Sequence, residues 1–167
     1  MAATTAASAS VQQVAAASVT VRHDVTFMAM LLPHHVTAVR MAQVARQRAV
    51  LPEVRRLADR IVAAQLREIR QIQNWLERRG ARPMEEPRAI QEMNEQDLEM
   101  LRTVDRAEFD HMFLMMMRAH HAAGVMMAID ELENGKDREA LRLAETVRDT
   151  QLREIEEMNR LLERLHG

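Results

Sequence analysis

Two stretches of this sequence concentrate the side chains that bind soft metal ions. They are DVTFMAMLLPHHVTAVRMA at residues 24–42 and DHMFLMMMRAHHAAGVMMA at residues 110–128. With the flanking His23 they hold six of the seven histidines and nine of the fourteen methionines. Thioether sulfur with imidazole nitrogen is ligand chemistry for monovalent copper, Cu(I), and by similarity for silver. Thioethers bind without losing a proton and tolerate oxidising surroundings better than thiols. The chain has no cysteine, so a Met/His site of this kind points to a periplasmic or secreted protein.

The two stretches are copies. Aligned on their His-His pairs they lie 86 positions apart, with Asp24 on Asp110, Phe27 on Phe113, Met30 on Met116, His34 and His35 on His120 and His121, and Met41 on Met127. The same offset brings QLREI at residues 65–69 onto QLREI at 151–155, Leu57-Ala58 onto Leu143-Ala144, and LER at 76–78 onto LER at 162–164. A gapless repeat of this length is a duplicated supersecondary unit. The candidate metal residues are therefore Asp24, Met30, His34, His35 and Met41 in the first copy, and Asp110, Met116, His120, His121 and Met127 in the second.

Helices must position them. Phe27, Leu31, His34, Ala38, Met41 and Ala45 recur at steps of three and four, the spacing of one helix face. On that face His34 is central with Met30 and Met41 beside it, while Asp24 and His35 share the opposite edge. Asp24 suits the first turn of a helix, and Pro33 should kink it just before the His pair. Pro52 opens a second helix, which Gly80 ends. A short helix over residues 95–102 is expected, capped by Asn94. Asp105 to Glu108 reads as a capping-box variant opening a third long helix, stopped by Asn134-Gly135, and Asp137 starts the last. In the QLREI copies Leu and Ile should be buried and Arg and Glu solvated, with Gln65 and Gln151 in reach of the site.

The resulting architecture is all-α: two duplicated hairpins packed as a four-helix bundle of ferritin-like type. Residues 1–22 form a flexible N-terminal arm, and 23–167 the bundle (repeat 1 at 23–80, a linker at 81–92, repeat 2 at 93–167). Only 2% of residues are aromatic, and four Gly and four Pro leave few turns. No basic run offers a nucleic-acid footprint in a chain of net charge −2. No apolar run is expected to span a bilayer, and residues 1–21 lack the basic and Leu-rich regions of a signal peptide.

Two other readings compete. Methionine is a flexible core filler, and a Met stripe at helical spacing packs more often than it coordinates; a metal-free structural or oligomerising bundle follows from that. A ferritin-like di-metal oxidoreductase would need Glu and Glu-x-x-His motifs on facing helices. Glu108-Phe-Asp-His111 has that spacing, but its counterpart is Arg22-His-Asp-Val25. Glu68 and Glu154 are its remaining inward candidates, which makes iron the less favoured metal. No phosphate loop or nucleophile motif supports catalysis.

The pattern Asp-x-x-Phe, Met-x-x-x-His-His, Met-Ala, then Gln-x-x-Glu-Ile resembles the domain of unknown function 305 (DUF305) family, which includes CopM-like periplasmic copper-binding proteins. The resemblance covers about residues 23–79 and 93–165 and is closer in the second copy. It implies a ferritin-like four-helix bundle, usually exported, that binds copper or silver through Met and His and serves metal tolerance. The same ten residues carry over, with departures at Pro33 for Ala119, Arg40 for Met126 and Gly124 for Ala38. Implied partners are the metal ion and a copper-handling protein, with homo-oligomerisation open.

Overall fold

The computed structural model describes the backbone of residues 3–166 and the side chains of residues 22–165. Among the described residues all regular structure is helical: α1 Ala3–Arg48, α2 Pro52–Arg78, α3 Arg88–Thr103, α4 Phe109–Asn134 and α5 Arg138–His166. Side chains of the expected N-terminal arm lie, apart from Arg22, outside the described residues.

The helix ends follow local chemistry. Pro52 sits at the start of α2, where its missing N–H costs nothing. Gly80 takes a positive φ of 63° just beyond α2, which a side chain would resist. Asp137 caps α5 as expected, its Oδ1 accepting from the backbone N–H groups of Glu139 and Ala140 at 2.9 and 3.0 Å. The same oxygen accepts from Trp75 Nε1 at 3.0 Å, tying α2 to α5.

Three expected boundaries are corrected. Helix α1 begins at Ala3, so Asp24 lies inside it rather than in a first turn. The third helix begins at Arg88 rather than residue 95, with Pro87 at its N-cap, so Asn94 lies inside it. Asn94 instead donates to Glu86 Oε2 at 3.0 Å. Residues 105–108 form no capping box: Glu108 occupies the N-cap of α4 with no side-chain bond. The turn is closed by backbone, Glu108 N–H donating to Asp105 O at 3.0 Å.

Helices α1 and α2 pack as one hairpin and α4 and α5 as the other, with α1 against α4 joining them and α3 lying over α1 and α4. The hairpins also hold each other's loops. Asp110, on α4, accepts from the N–H groups of Val50 and Leu51 in the α1–α2 loop at 2.9 and 2.7 Å. Asp24, on α1, accepts from Lys136 and Asp137 in the α4–α5 loop at 2.8 and 3.0 Å. Both carboxylates are buried, so each bond replaces water that the loop amides would otherwise need.

The apolar core is in two parts. One gathers Met41, Leu57, Ile61, Phe109, Phe113 and Leu162. The other gathers Phe27, Leu31, Ile72, Trp75, Leu143 and Val147. Between these parts each of the four long helices buries polar residues: His35, Gln65 and Glu68, His121, Gln151 and Glu154.

Helix α4 also corrects the expectation of no spanning segment, since by length and composition it is apolar enough to cross a bilayer. In this fold it buries Asp110, His121 and Glu131 against its neighbours, as a core helix can.

Candidate metal centre

The polar layer is built twice. His35 Nε2 donates to Glu68 Oε2 at 2.7 Å, and His121 Nε2 donates to Glu154 Oε2 at 2.7 Å. Both carboxylates come from the QLREI motifs, whose polar faces point inward. For Leu and Glu the expectation is thus reversed, since Glu68 and Glu154 are buried whereas Leu66 and Leu152 are exposed; Ile69 is buried and Arg67 and Arg153 are exposed, as expected. Glu68 and Glu154 are also the carboxylate partners of the inner histidines. A carboxylate on one ring nitrogen fixes the imidazole's orientation and tautomer.

The outer histidines are different. His34 and His120 stack across the pseudo-twofold axis with ring centroids 3.9 Å apart and a 32° tilt. Neither nitrogen of His34, nor Nδ1 of His120, has a hydrogen-bond partner although all three are buried. Burial, then the neighbouring His35 and His121, pushes the His34 pKa down to about 3, against a small opposing effect from the His120 backbone. Burial and the charges that His34, His121 and His35 would carry push His120 well down too. Both rings are neutral at pH 7, with lone pairs available to a metal.

Two clefts meet at these rings. A cleft of about 270 Å³ is walled by His34, Met30, Met127 and Met84. A second, of about 570 Å³, is walled by His34 and His120 with Met41, Met115, Met116 and Met93. Glu86 and Ile90 wall both. The structure therefore brings together Met30, His34, Met41, Met116, His120 and Met127. It sets His35 and His121 one layer inward. It places Asp24 and Asp110 at opposite ends of the bundle, each ten residues before its His pair, or about 15 Å of helix.

Gln151 completes the layer. A Cβ on Gly124 would fall 2.3 Å from Gln151 Oε1 and 3.0 Å from His34 Cε1. The glycine that replaces Ala38 of the first copy thus admits an amide beside His34. Neither Gln65 nor Gln151 has a hydrogen-bond partner on its side-chain amide among the described residues.

The repeat, the paired histidines and the fold agree with a family model, Domain of unknown function (DUF305), that matches residues 24–162. The chain belongs to the DUF305 family. A DUF305 fragment from Deinococcus radiodurans superposes with a TM-score of 0.78 at 29% identity, covering 85% of this chain and 96% of the other. CopM in its Cu(I)-bound form gives a TM-score of 0.75 at 31% identity, covering 86% and 98%. A DUF305 protein from Streptomyces coelicolor, provisionally assigned as secreted, gives 0.78 at 28%, covering 87% and 93%. CopM is also solved with silver and with Cu(II). No curated protein matches the chain by sequence.

Hard-ligand clusters do not form in this DUF305 chain: among the described residues no group of three or more His, Asp or Glu side chains is placed to hold an ion. The donors that converge are imidazoles and thioethers, a soft set.

Away from the clefts, Glu131 is fully buried, with His23 Nε2 3.5 Å from its Oε2 and the Asp24 carboxylate beside it. Burial first, then Asp24, raises its pKa from 4.5 to about 9. The folded state keeps a proton that the unfolded chain releases, so this group's contribution to stability falls as pH rises from about 4.5 to about 9. Glu131→Gln should stabilise the protein by on the order of 2 kcal/mol at pH 8 and by little at pH 4. Urea midpoints at the two pH values measure the difference.

Proposed function

We propose that this protein binds monovalent copper, and silver, and serves copper buffering, transport or tolerance outside the cytosol. The observation that carries this reading is the stacked His34–His120 pair, neutral and with three of its four ring nitrogens buried and unpartnered, between two methionine-walled clefts. The Cu(I)- and silver-bound forms of CopM, at 31% and 32% identity, support it. Four long helices carry the site as a ferritin-like bundle of two hairpins, with α3 added between them. Met30, His34, Met41, Met116, His120 and Met127 are the ligands. His35 and His121, held by Glu68 and Glu154, set the backbone register of the outer pair and stand behind it. Asp24 and Asp110 act through the loops.

The test is an anaerobic titration of the apo-protein with Cu(I) against a chromophoric chelator, with Zn(II) as a borderline control. Binding tighter than about 1 µM with strong preference for Cu(I) is expected. Binding weaker than that would leave the metal-free structural reading.

A further inference from the structure

Pro33 sets up an anchor outside the repeat. A helical proline cannot donate to the carbonyl four residues earlier, which here is Ala29. That carbonyl is not left bare: the N–H of Met84, in the linker after α2, donates to Ala29 O at 2.9 Å. The bond fixes Met84 one residue from the level of Met30 and one turn from His34. The second copy has Ala119 at the equivalent position, so only the first hairpin offers this acceptor.

The rest of the segment between the hairpins, which includes α3, is also tied down. Arg40 on α1 makes a two-point ion pair with Glu95 on α3, at 2.5 and 3.0 Å. Leu98 and Leu101 of α3 are fully buried in the core. This holds Met84 over the smaller cleft and Met93 over the larger one. Yet Met84 and Met93 leave 44% and 49% of their surface exposed. Core filling does not account for thioethers that stay half in water.

Resting on the soft-ion reading above, we infer that Met84 and Met93 are metal ligands supplied from outside the two helical hairpins, by the segment that carries α3. Met84 joins His34, Met30 and Met127 in one cleft; Met93 joins His120, Met41 and Met116 in the other. The two sites related by the repeat are thereby made unequal, since the segment between the hairpins crosses them at different residues. Pro33 is a positioning residue for Met84.

The experiment titrates the full-length apo-protein with Ag(I) and follows the methyl signals of 13C-labelled methionine, with Cu(I) competition run in parallel. Met84→Leu and Met93→Leu assign the two signals and nearly conserve volume. Both signals should shift with the first equivalents, and each variant should weaken one class of sites at least tenfold. Pro33→Ala restores a donor for Ala29 O; it should speed amide exchange at Met84 and weaken only the Met84 class. If both methyl signals stay fixed while Met30 or Met116 responds, the inference is overturned and the soft-ion reading survives. If no methionine or histidine signal responds in the wild type, both fail. A Pro33→Ala protein that binds as the wild type overturns the anchoring role.

Discussion

Asp110→Ala should cost about 3 kcal/mol of folding stability, from two buried charge-assisted bonds at roughly 1.5 kcal/mol each. The Val50 and Leu51 amides it serves would be left part-buried without an acceptor. Asp24→Ala removes the equivalent pair at Lys136 and Asp137, but should cost less at pH 7. The reason is Glu131, whose pKa Asp24 helps to raise; losing Asp24 relieves that buried carboxyl. No such acid faces Asp110, because the counterpart of Glu131 in the first copy is Ala45. Urea unfolding at pH 7 ranks the two variants, and equal losses would show that Glu131 carries no charge penalty. Cu(I) affinity should stay within a few-fold in both, since neither carboxylate lies at the clefts. A large drop in affinity with unchanged stability would make these residues ligands instead.

The paired variant His34→Ala with His120→Ala should lose at least roughly 100-fold in Cu(I) affinity, near 2.7 kcal/mol. It should also change how the apo-protein responds to acid. His34 titrates at about 3 when folded and at 6.5 when unfolded, so the unfolded chain takes up a proton first as pH falls. Stability associated with the neutral ring is intact above about pH 6.5 and is lost progressively down to about pH 3. The wild type should therefore lose on the order of 3 kcal/mol more than the double variant between pH 7 and pH 3. Urea midpoints across that range measure the slope, and parallel curves would mean that the stacked rings are not held neutral. Carboxylate protonation affects both proteins alike and drops out of the comparison.

Much of this was legible in the residues, for identifiable reasons. The offset of 86 fixed the two hairpins, because a gapless repeat preserves helical phase as well as residue type. Pro52, Gly80 and Asp137 marked their boundaries through φ restriction and capping. Periodicity misjudged the QLREI motifs, since it scored Leu66 and Leu152 as core and Glu68 and Glu154 as surface. A usable signal was present: Ile61, Gln65, Glu68 and Ile72 run at steps of three and four, which places the Gln and Glu on the apolar stripe. Asp110 carried a correct structural hint in its helix-start position, whereas Asp24 lies well inside α1; the N–H donors that both carboxylates serve lay in the other hairpin, beyond any local pattern. Met84 and Met93 escaped because the comparison of repeats assigns no meaning to residues that occur once. Helix α3 escaped in part because only Leu98 and Leu101 on it are buried, while Ile90 and Met93 stay exposed along a mostly polar first half.

The cross-hairpin carboxylates describe an exchange between partners. Asp24 of the first unit closes the loop of the second, and Asp110 of the second closes the loop of the first. Neither unit can satisfy its own turn. That is the geometry of an isologous interface, in which one patch meets its own copy across a twofold axis. A half-length chain with one hairpin would find both the missing acceptor and the second imidazole in another molecule of itself. In the present chain the segment of residues 81–108 makes that association intramolecular, and in doing so frees the two halves to diverge.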